Sequence, residues 1–343
     1  MLSRRNFVLT TAGLTLGGVL APAAFARSSR RPRANDERFF AWIELAPGVW
    51  ATNDLDTGGN AMVIAGSGSA ALIDSKFPAF GAQLRAEGEA VAGEPITQLI
   101  NTHHHGDHTS GNAAVGAVAV RIAHAKAEPR IASQLDRYVE MTRNAAAQFR
   151  GLDHPAQSEA MKLAEKNAGG ADALRASHFT PTRAIDPAPG NPTKIENGAL
   201  AIHAYHFGGG HTDNDTVLVV ADRNVIHTGD LVFAGRHPYF DQSGGGSARG
   251  WLRSLEGILA LCDAETKVLP GHGKAGGREI VQQQIDYHVA LIDAVTAEVR
   301  KGTAKERAHE MTWPFMDGLE GGQIRPRAIG AVYDEIKAEL ERR

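Results

Sequence analysis

Apolar residues fall in short runs separated by turn residues, and most of these runs have the length of a strand. Ala61-Met62-Val63-Ile64 is followed by Gly66-Ser67-Gly68-Ser69 and then Ala71-Leu72-Ile73-Asp74, which predicts a hairpin. A helical stretch over 78–91, interrupted by Gly81 and Gly88, leads to strands over 96–101 and 117–122. Residues 126–167 are rich in Ala, Glu, Lys, Gln and Met, predicting a helical pair, broken at Gly151, Asp153 and Pro155, that caps a site. A Pro- and Gly-rich connector over 181–190 precedes a second strand series over 200–203, 216–220 and 224–227. Ile285, Val289, Ile292, Val295 and Val299 step by four, three, three and four, so they form one helical stripe expected to pack in the core. Two strand series, each flanked by helices, predict an α/β fold of four layers, a sandwich of two sheets with helices outside. No repeat with a period of about 20 to 50 residues interrupts this order.

Composition adds exclusions. The chain has 343 residues, 43% hydrophobic and 22% charged, enough to bury a sizeable core and unlike a disordered sequence. Aromatic residues make up 6%, so aliphatic side chains must fill most of that core. A net charge of −3, with Lys and Arg evenly spread, argues against nucleic acid as a partner. The single cysteine, Cys262, excludes an intrachain disulfide and is expected as a small apolar residue on a buried helix face.

The first residues carry an address. Ser3-Arg4-Arg5-Asn6-Phe7-Val8-Leu9, an apolar run diluted by Thr and Gly to Leu20, and Ala24-Phe25-Ala26 together resemble a twin-arginine export signal cut after Ala26. This organisation predicts a signal peptide over 1–26, a loose basic linker over 27–42 and a catalytic domain over 43–343. The expected location is the periplasm, with the twin-arginine translocase as a partner during export. Without residues 1–26, which hold two arginines and no acids, the formal charge becomes −5. The apolar run falls short of the roughly 20 residues a spanning helix needs, and no cysteine lies near the cut, so no stable membrane anchor is expected.

The most informative stretch is Thr102-His103-His104-His105-Gly106-Asp107-His108, directly after a strand. In an extended segment His103 and His105 project to one face and His104 to the other, so two imidazoles can share one ion. Gly106 permits a sharp turn that lets Asp107 and His108 serve a second ion. Three further strands lead to a metal-capable residue: Gly208-Gly209-Gly210-His211-Thr212, Thr228-Gly229-Asp230 and Leu269-Pro270-Gly271-His272-Gly273. Open α/β sheets form their sites at such carboxyl edges.

In these positions the chain resembles the metallo-β-lactamase superfamily, whose signature is His-x-His-x-Asp-His followed by a His, a bridging Asp and a final His. All seven positions match in order, and the resemblance spans roughly residues 45–275. It implies the αββα sandwich of that superfamily, with His103, His105 and His211 on one metal, Asp107, His108 and His272 on another, and Asp230 bridging. Asp74 matches an early aspartate that supports the histidine loop, although a plain turn residue would look the same. His203, His206 and His227 are expected as ordinary strand residues.

The ligand set suits two Zn2+, with Fe or Mn also compatible. Such a pair generates a hydroxide for attack on a carbonyl, with Asp107 orienting the nucleophile and helping to protonate the leaving group. The substrate is expected to be a small molecule. An aspartate at the bridging position resembles glyoxalase II-like thioesterases and lactonases more than dedicated β-lactamases, which favours an ester, thioester or lactone. Hydrolysis of a β-lactam amide, or a periplasmic metal-binding protein without turnover, are the alternatives. The segment 231–240 is expected to form a pocket wall, with Arg236, His237 and Tyr239 as possible anion contacts, and Ser243-Gly244-Gly245-Gly246-Ser247 a mobile rim.

Overall fold

The computed structural model describes residues 38–52, 57–150, 154–188 and 190–342. The expected signal peptide, and the expected linker up to residue 37, lie outside the described residues.

One sheet has seven strands in chain order: β1 (Trp42–Ala46), β2 (Val49–Thr52), β3 (Ala61–Ala65), β4 (Ala70–Ile73), β5 (Ile96–Ile100), β6 (Val120–His124) and β7 (Arg183–Ile185). Its first four strands pair antiparallel, and from β4 to β7 the pairing is parallel. The second sheet comprises β8 (Thr193–Ile195), β9 (Ile202–Tyr205), β10 (Val217–Val220), β11 (Val225–His227) and β12 (Lys267–Leu269), spatially reversed so that β12 and β8 form its edges.

Strands buried on both faces read as continuous apolar runs, which is why the hairpin and the second strand series stood out. Alternation within them sorts the layers. Met62, Ile64, Ile73 and Ile100 meet Ile202, Ala204, Leu218 and Val220 between the sheets. Val63, Leu72 and Leu99 turn outward onto α1 (Gly81–Ala92). On the far side, Val217, Ile226 and Val268 pack against α7 (Ala248–Ala260) and α8 (Arg278–Lys301) through Trp251, Leu255, Ile285 and Ile292. The order is therefore helices, sheet, sheet, helices, as expected.

Between β5 and β6 lie two single-turn helices, α2 (Gly106–Thr109) and α3 (Asn112–Val115). The region expected to hold two helices contains α4 (Ala127–Ala132), α5 (Leu135–Arg143) and α6 (Gln157–Ala168), because Ser133-Gln134 makes an additional break. The chain ends with α9 (Lys305–His309) and α10 (Arg325–Glu341).

Four expectations need correction. Phe39 and Phe40, placed in the loose linker, are buried, and the Glu87 carboxylate accepts bonds from Phe39 N, Phe40 N and Trp42 Nε1. Val289 is 41% exposed, because the buried face of α8 runs through Ile285, His288, Leu291, Ile292 and Val295. Cys262 lies half-buried just past the end of α7, and burial raises its thiol pKa to about 11. The glycine run over 243–247 is pinned: Ser243 O accepts from Arg130, Gly244 O accepts from Asp213 N, and Gly246 N donates to Asp241 O.

Candidate metal centre

Support for the site begins behind the histidines. Asp74 follows β4 with φ of 59°, a left-handed conformation that Asp tolerates better than most residues. Parallel pairing of β4 with β5 brings its carboxylate to the start of the histidine loop, where Thr102 N donates to it at 2.8 Å and Thr102 Oγ1 at 2.7 Å. The same carboxylate lies 2.7 Å from His108 Nδ1, which donates to it. Asp74 is thus a buried brace, the supporting role that the resemblance implied.

These bonds fix the imidazole tautomers. Thr102 Oγ1 gives its proton to Asp74 and so accepts from His103 Nδ1 at 3.1 Å, leaving His103 Nε2 as a lone pair. His108 Nε2 becomes a lone pair in the same way. His211 Nδ1 donates to Tyr239 O at 2.6 Å, and His105 Nε2 donates to Asp241 Oδ2 at 2.9 Å. The remaining nitrogens, His211 Nε2 and His105 Nδ1, face each other at 2.9 Å.

Two acceptor nitrogens that close demand a cation or a proton between them. Nitrogens on a tetrahedral zinc stand about 3.3 Å apart by the usual Zn–N lengths, close to this spacing. His103 Nε2, His108 Nε2 and Asp230 Oδ1 are also buried without a hydrogen-bond partner, a costly arrangement unless another group satisfies them. The donor set therefore fits divalent metal ions.

All seven expected residues converge. His103, His105, His211 and Asp230 form one group, and Asp107, His108, Asp230 and His272 another; the candidate ligand atoms within each group lie within 4.8 Å of one another. Asp230 is common to both. Its Oδ1 is 3.1 Å from His108 Nε2, whereas Oδ2 is 3.3 Å from His272 Nε2 and 3.5 Å from His211 Nε2. His272 Nε2 also lies 3.1 Å from Asp107 Oδ2.

Electrostatics differ between the groups. Burial holds His103 well below the ordinary imidazole value and takes His211 to about 3, so both are neutral and ready to bind a cation. Burial also lowers His272, but Asp230 and Asp107 outweigh it and bring the ring to about 9. For Asp230, burial works upward, yet His272, His108 and His103 hold it well below the carboxylate range.

Several supporting residues escaped the sequence reading. Asn60 Nδ2 donates to Pro270 O and to Gly273 O, both at 2.8 Å, clamping the loop on either side of His272. Asp215 accepts from Thr212 N at 2.9 Å and Thr212 Oγ1 at 2.6 Å, holding the loop that presents His211. The Asp at the end of His211-Thr212-Asp213-Asn214-Asp215 was a legible signal, since an acid three residues after Thr can close such a turn. Two glycines are demanded by close approach: a Cβ on Gly59 would stand 2.1 Å from the His108 ring, and one on Gly271 1.9 Å from Asp230 Oδ1.

His104, expected to point away from the first pair, is buried and lies 3.5 Å from Asp241 Oδ2 through Nε2, while Asn214 Nδ2 donates to its Nδ1 at 3.0 Å. His104, His105 and Asp241 make a third cluster of possible ligands. Gly244 packs so tightly there that a Cβ would lie 2.1 Å from Asp241 Oδ2, and the cluster serves as hydrogen-bonded support for His105. His203, on β9, is half-buried; His206, just past the end of β9 rather than in a strand, lies against His124 with ring centres 4.4 Å apart and planes tilted by 53°; His227 ends β11 and accepts from Gly229 N. None of these three joins the groups.

The groups open on a cavity of about 360 Å3. Phe233, Arg236, His237 and Tyr239 line it, so the segment after Asp230 is a pocket wall; Gln134 just before α5, Arg137 within it and Gln323 near α10 complete it. Arg236 lies 3.3 Å from Glu320, and His237 Nδ1 is 3.1 Å from the Tyr287 hydroxyl.

Comparison with known proteins agrees with this geometry. The chain is 35% identical over 85 residues to an uncharacterized protein of Mycobacterium leprae, a match spanning 24% of this chain and 37% of that relative. A metallo-beta-lactamase structure from Hirschia baltica superimposes with a TM-score of 0.51 at 20% identity, covering 73% of this chain and 97% of the other. The FIM-1 metallo-beta-lactamase of Pseudomonas aeruginosa in its mono-zinc form gives 0.51 at 16% identity, covering 73% and 95%. These likenesses concern the fold. The model of the metallo-beta-lactamase superfamily matches residues 55–272, which is most of the chain and contains all seven converging side chains, and the protein belongs to that superfamily.

Proposed function

We propose that this protein is a dinuclear metal-dependent hydrolase that cleaves an ester, thioester or lactone carbonyl. The observation that carries this reading is Asp230, which belongs to both groups of donors beside one cavity: its Oδ2 lies 3.5 Å from His211 Nε2 of the first group and 3.3 Å from His272 Nε2 of the second, and its Oδ1 lies 3.1 Å from His108 Nε2. His103, His105 and His211 would hold one ion, and Asp107, His108 and His272 the other. Zinc suits this mixture of imidazole and carboxylate, and iron or manganese would also be accepted. Bound there, such a pair supplies Lewis acidity and brings the pKa of water towards neutrality.

The chain's own residues do the rest. Asp107 is the more open carboxylate of the set, 24% exposed against 3% for Asp230, and it lines the cavity. It is placed to orient the attacking water, take up its proton and return it to the leaving group. Asp74 and Asp241 keep the imidazole lone pairs aimed inward. Gln134, Arg137 and Gln323 offer polar contacts to the substrate from the cavity wall.

We also propose that residues 1–26 direct export through the twin-arginine translocase to the periplasm, a reading supported by Arg4-Arg5 and Ala24-Phe25-Ala26.

The test is metal content together with turnover of an aryl ester, a thioester, a lactone and a chromogenic cephalosporin, with and without a chelator. Two ions per chain and chelator-sensitive hydrolysis of an ester, thioester or lactone are expected. Turnover of the cephalosporin alone would select the lactam amide, bound metal without turnover would select a binding protein, and activity undiminished after stripping would remove the mechanism.

A further inference from the structure

Residues after 272 lie beyond the superfamily match, yet they build a second cavity beside the first. It measures about 460 Å3, larger than the cavity at the metal groups. One wall is the face of α8 carrying Ile280, Tyr287 and Ala290, and the opposite wall is Phe315 and Leu319.

The two cavities share Phe233 and Arg236 as lining residues. Phe233 stacks on His272 with ring centres 5.2 Å apart and planes 15° apart. Phe233 and Arg236 thus stand between the metal groups and an apolar recess, and the two spaces adjoin there. Asp286 borders that recess, and the Arg236 guanidinium that also lines it is paired with Glu320 at 3.3 Å, so the charges around it do not favour an anionic group.

We propose that this second cavity is the subsite for an uncharged aliphatic or aryl arm of the substrate, so that the protein acts on hydrophobic carbonyl compounds in preference to small polar ones. The proposal rests on the reading of the site as a carbonyl hydrolase. It adds the chemistry that the arm must have and the residues, from a segment outside the matched region, that select it. Apolar pockets with a few polar groups at the reacting end are the usual form of such sites.

The experiment has two arms, both on the full chain. In the first, N-octylacetamide and N-methylacetamide are titrated into metal-free protein by calorimetry. The octyl compound is expected to bind at least tenfold more tightly, with a negative heat-capacity change. Ala290→Phe, which fills the recess, and Leu319→Asp, which charges its opposite wall, should each abolish that preference; having two variants on separate elements guards against one misfolding.

In the second arm, metal-loaded protein is offered acetate esters from methyl to octyl, in which the arm varies on the same side of the carbonyl as in the amides and no aryl group competes for the recess. Each methylene should raise kcat/KM by roughly fourfold until the recess is full, as expected for about 0.8 kcal/mol per buried methylene. The octyl-to-methyl ratio should collapse in both variants. Equal binding of the two amides, or a ratio that survives both substitutions, overturns the subsite. Tail-dependent amide binding without turnover of any ester would instead overturn the hydrolase reading and leave the subsite standing.

Discussion

The two donor groups that share Asp230 are built differently. In the first, each imidazole is backed by a fixed acceptor: Thr102 behind His103, Asp241 behind His105 and the Tyr239 carbonyl behind His211. Trp251 closes over it, its ring 5.3 Å from that of His211, and burial keeps His103 and His211 neutral. The second group carries two carboxylates, and Asp107 and His272 both line the cavity, against His105 alone among the imidazoles of the first. Depth and orientation come with the first group, charge and access with the second. A centre that must both retain its metal and admit a substrate divides those demands between its halves.

The largest test of this division is Asp230→Ala, which should strip both ions and reduce turnover to that of chelated protein. Retention of two ions by elemental analysis would show that the groups are independent. His272→Ala against His211→Ala comes next: each should keep one ion per chain, but the ion left in His272→Ala should resist a chelator better than the ion left in His211→Ala, and equal resistance would erase the contrast.

Asp241→Asn should weaken metal affinity by about 10- to 100-fold, the usual cost of losing a partner behind a ligand. The weakening should fall on the ion of the first group, the more slowly released one in a chelator competition, and a loss confined to the readily released ion, measured by atomic absorption, would place Asp241 behind the other group. Asn60→Ala leaves two buried carbonyls beside His272 without their donor and should cost about 1 to 3 kcal/mol in denaturant unfolding, with metal loss confined to the second group.

Asp215→Asn should have the smallest effect on metal content and a distinct effect on pH dependence. Burial raises the Asp215 carboxyl from 3.8 to about 7, so the folded chain keeps a proton that the unfolded chain releases. That contribution is full below about pH 4 and is lost as pH rises towards 7. Metal-free wild-type protein should therefore lose more stability than the variant between these limits, as read by thermal melting; parallel curves would place the proton elsewhere.

The seven converging residues were legible because each follows an apolar strand, and the sheets deliver strand ends to one edge whatever the intervening loops do. The core strands were legible for the same reason, since burial on both faces leaves little room for polar residues. Asn60 was not, because its partner Pro270 lies 210 positions away and an Asn after a glycine pair reads as a turn. Asp241 sits beside a glycine run that suggested mobility, whereas its carboxylate holds two imidazoles and the Ser243 hydroxyl. Val289 failed for a subtler reason: stepping by three and four defines a stripe, but only the neighbouring helices decide where its edge meets water.

Arg327 gives the C-terminal helix a wider importance. Its Nε donates to Phe240 O at 2.7 Å, its guanidinium lies 4.4 Å above the Tyr239 ring, and Nη2 is 3.6 Å from Asp241. Tyr239 and Asp241 are the groups standing behind His211 and His105. A protein trimmed after the last histidine would still carry the complete signature and would lack the outer clasp on two of its imidazoles, so the boundary of the motif is a poor guide to how much chain the centre needs.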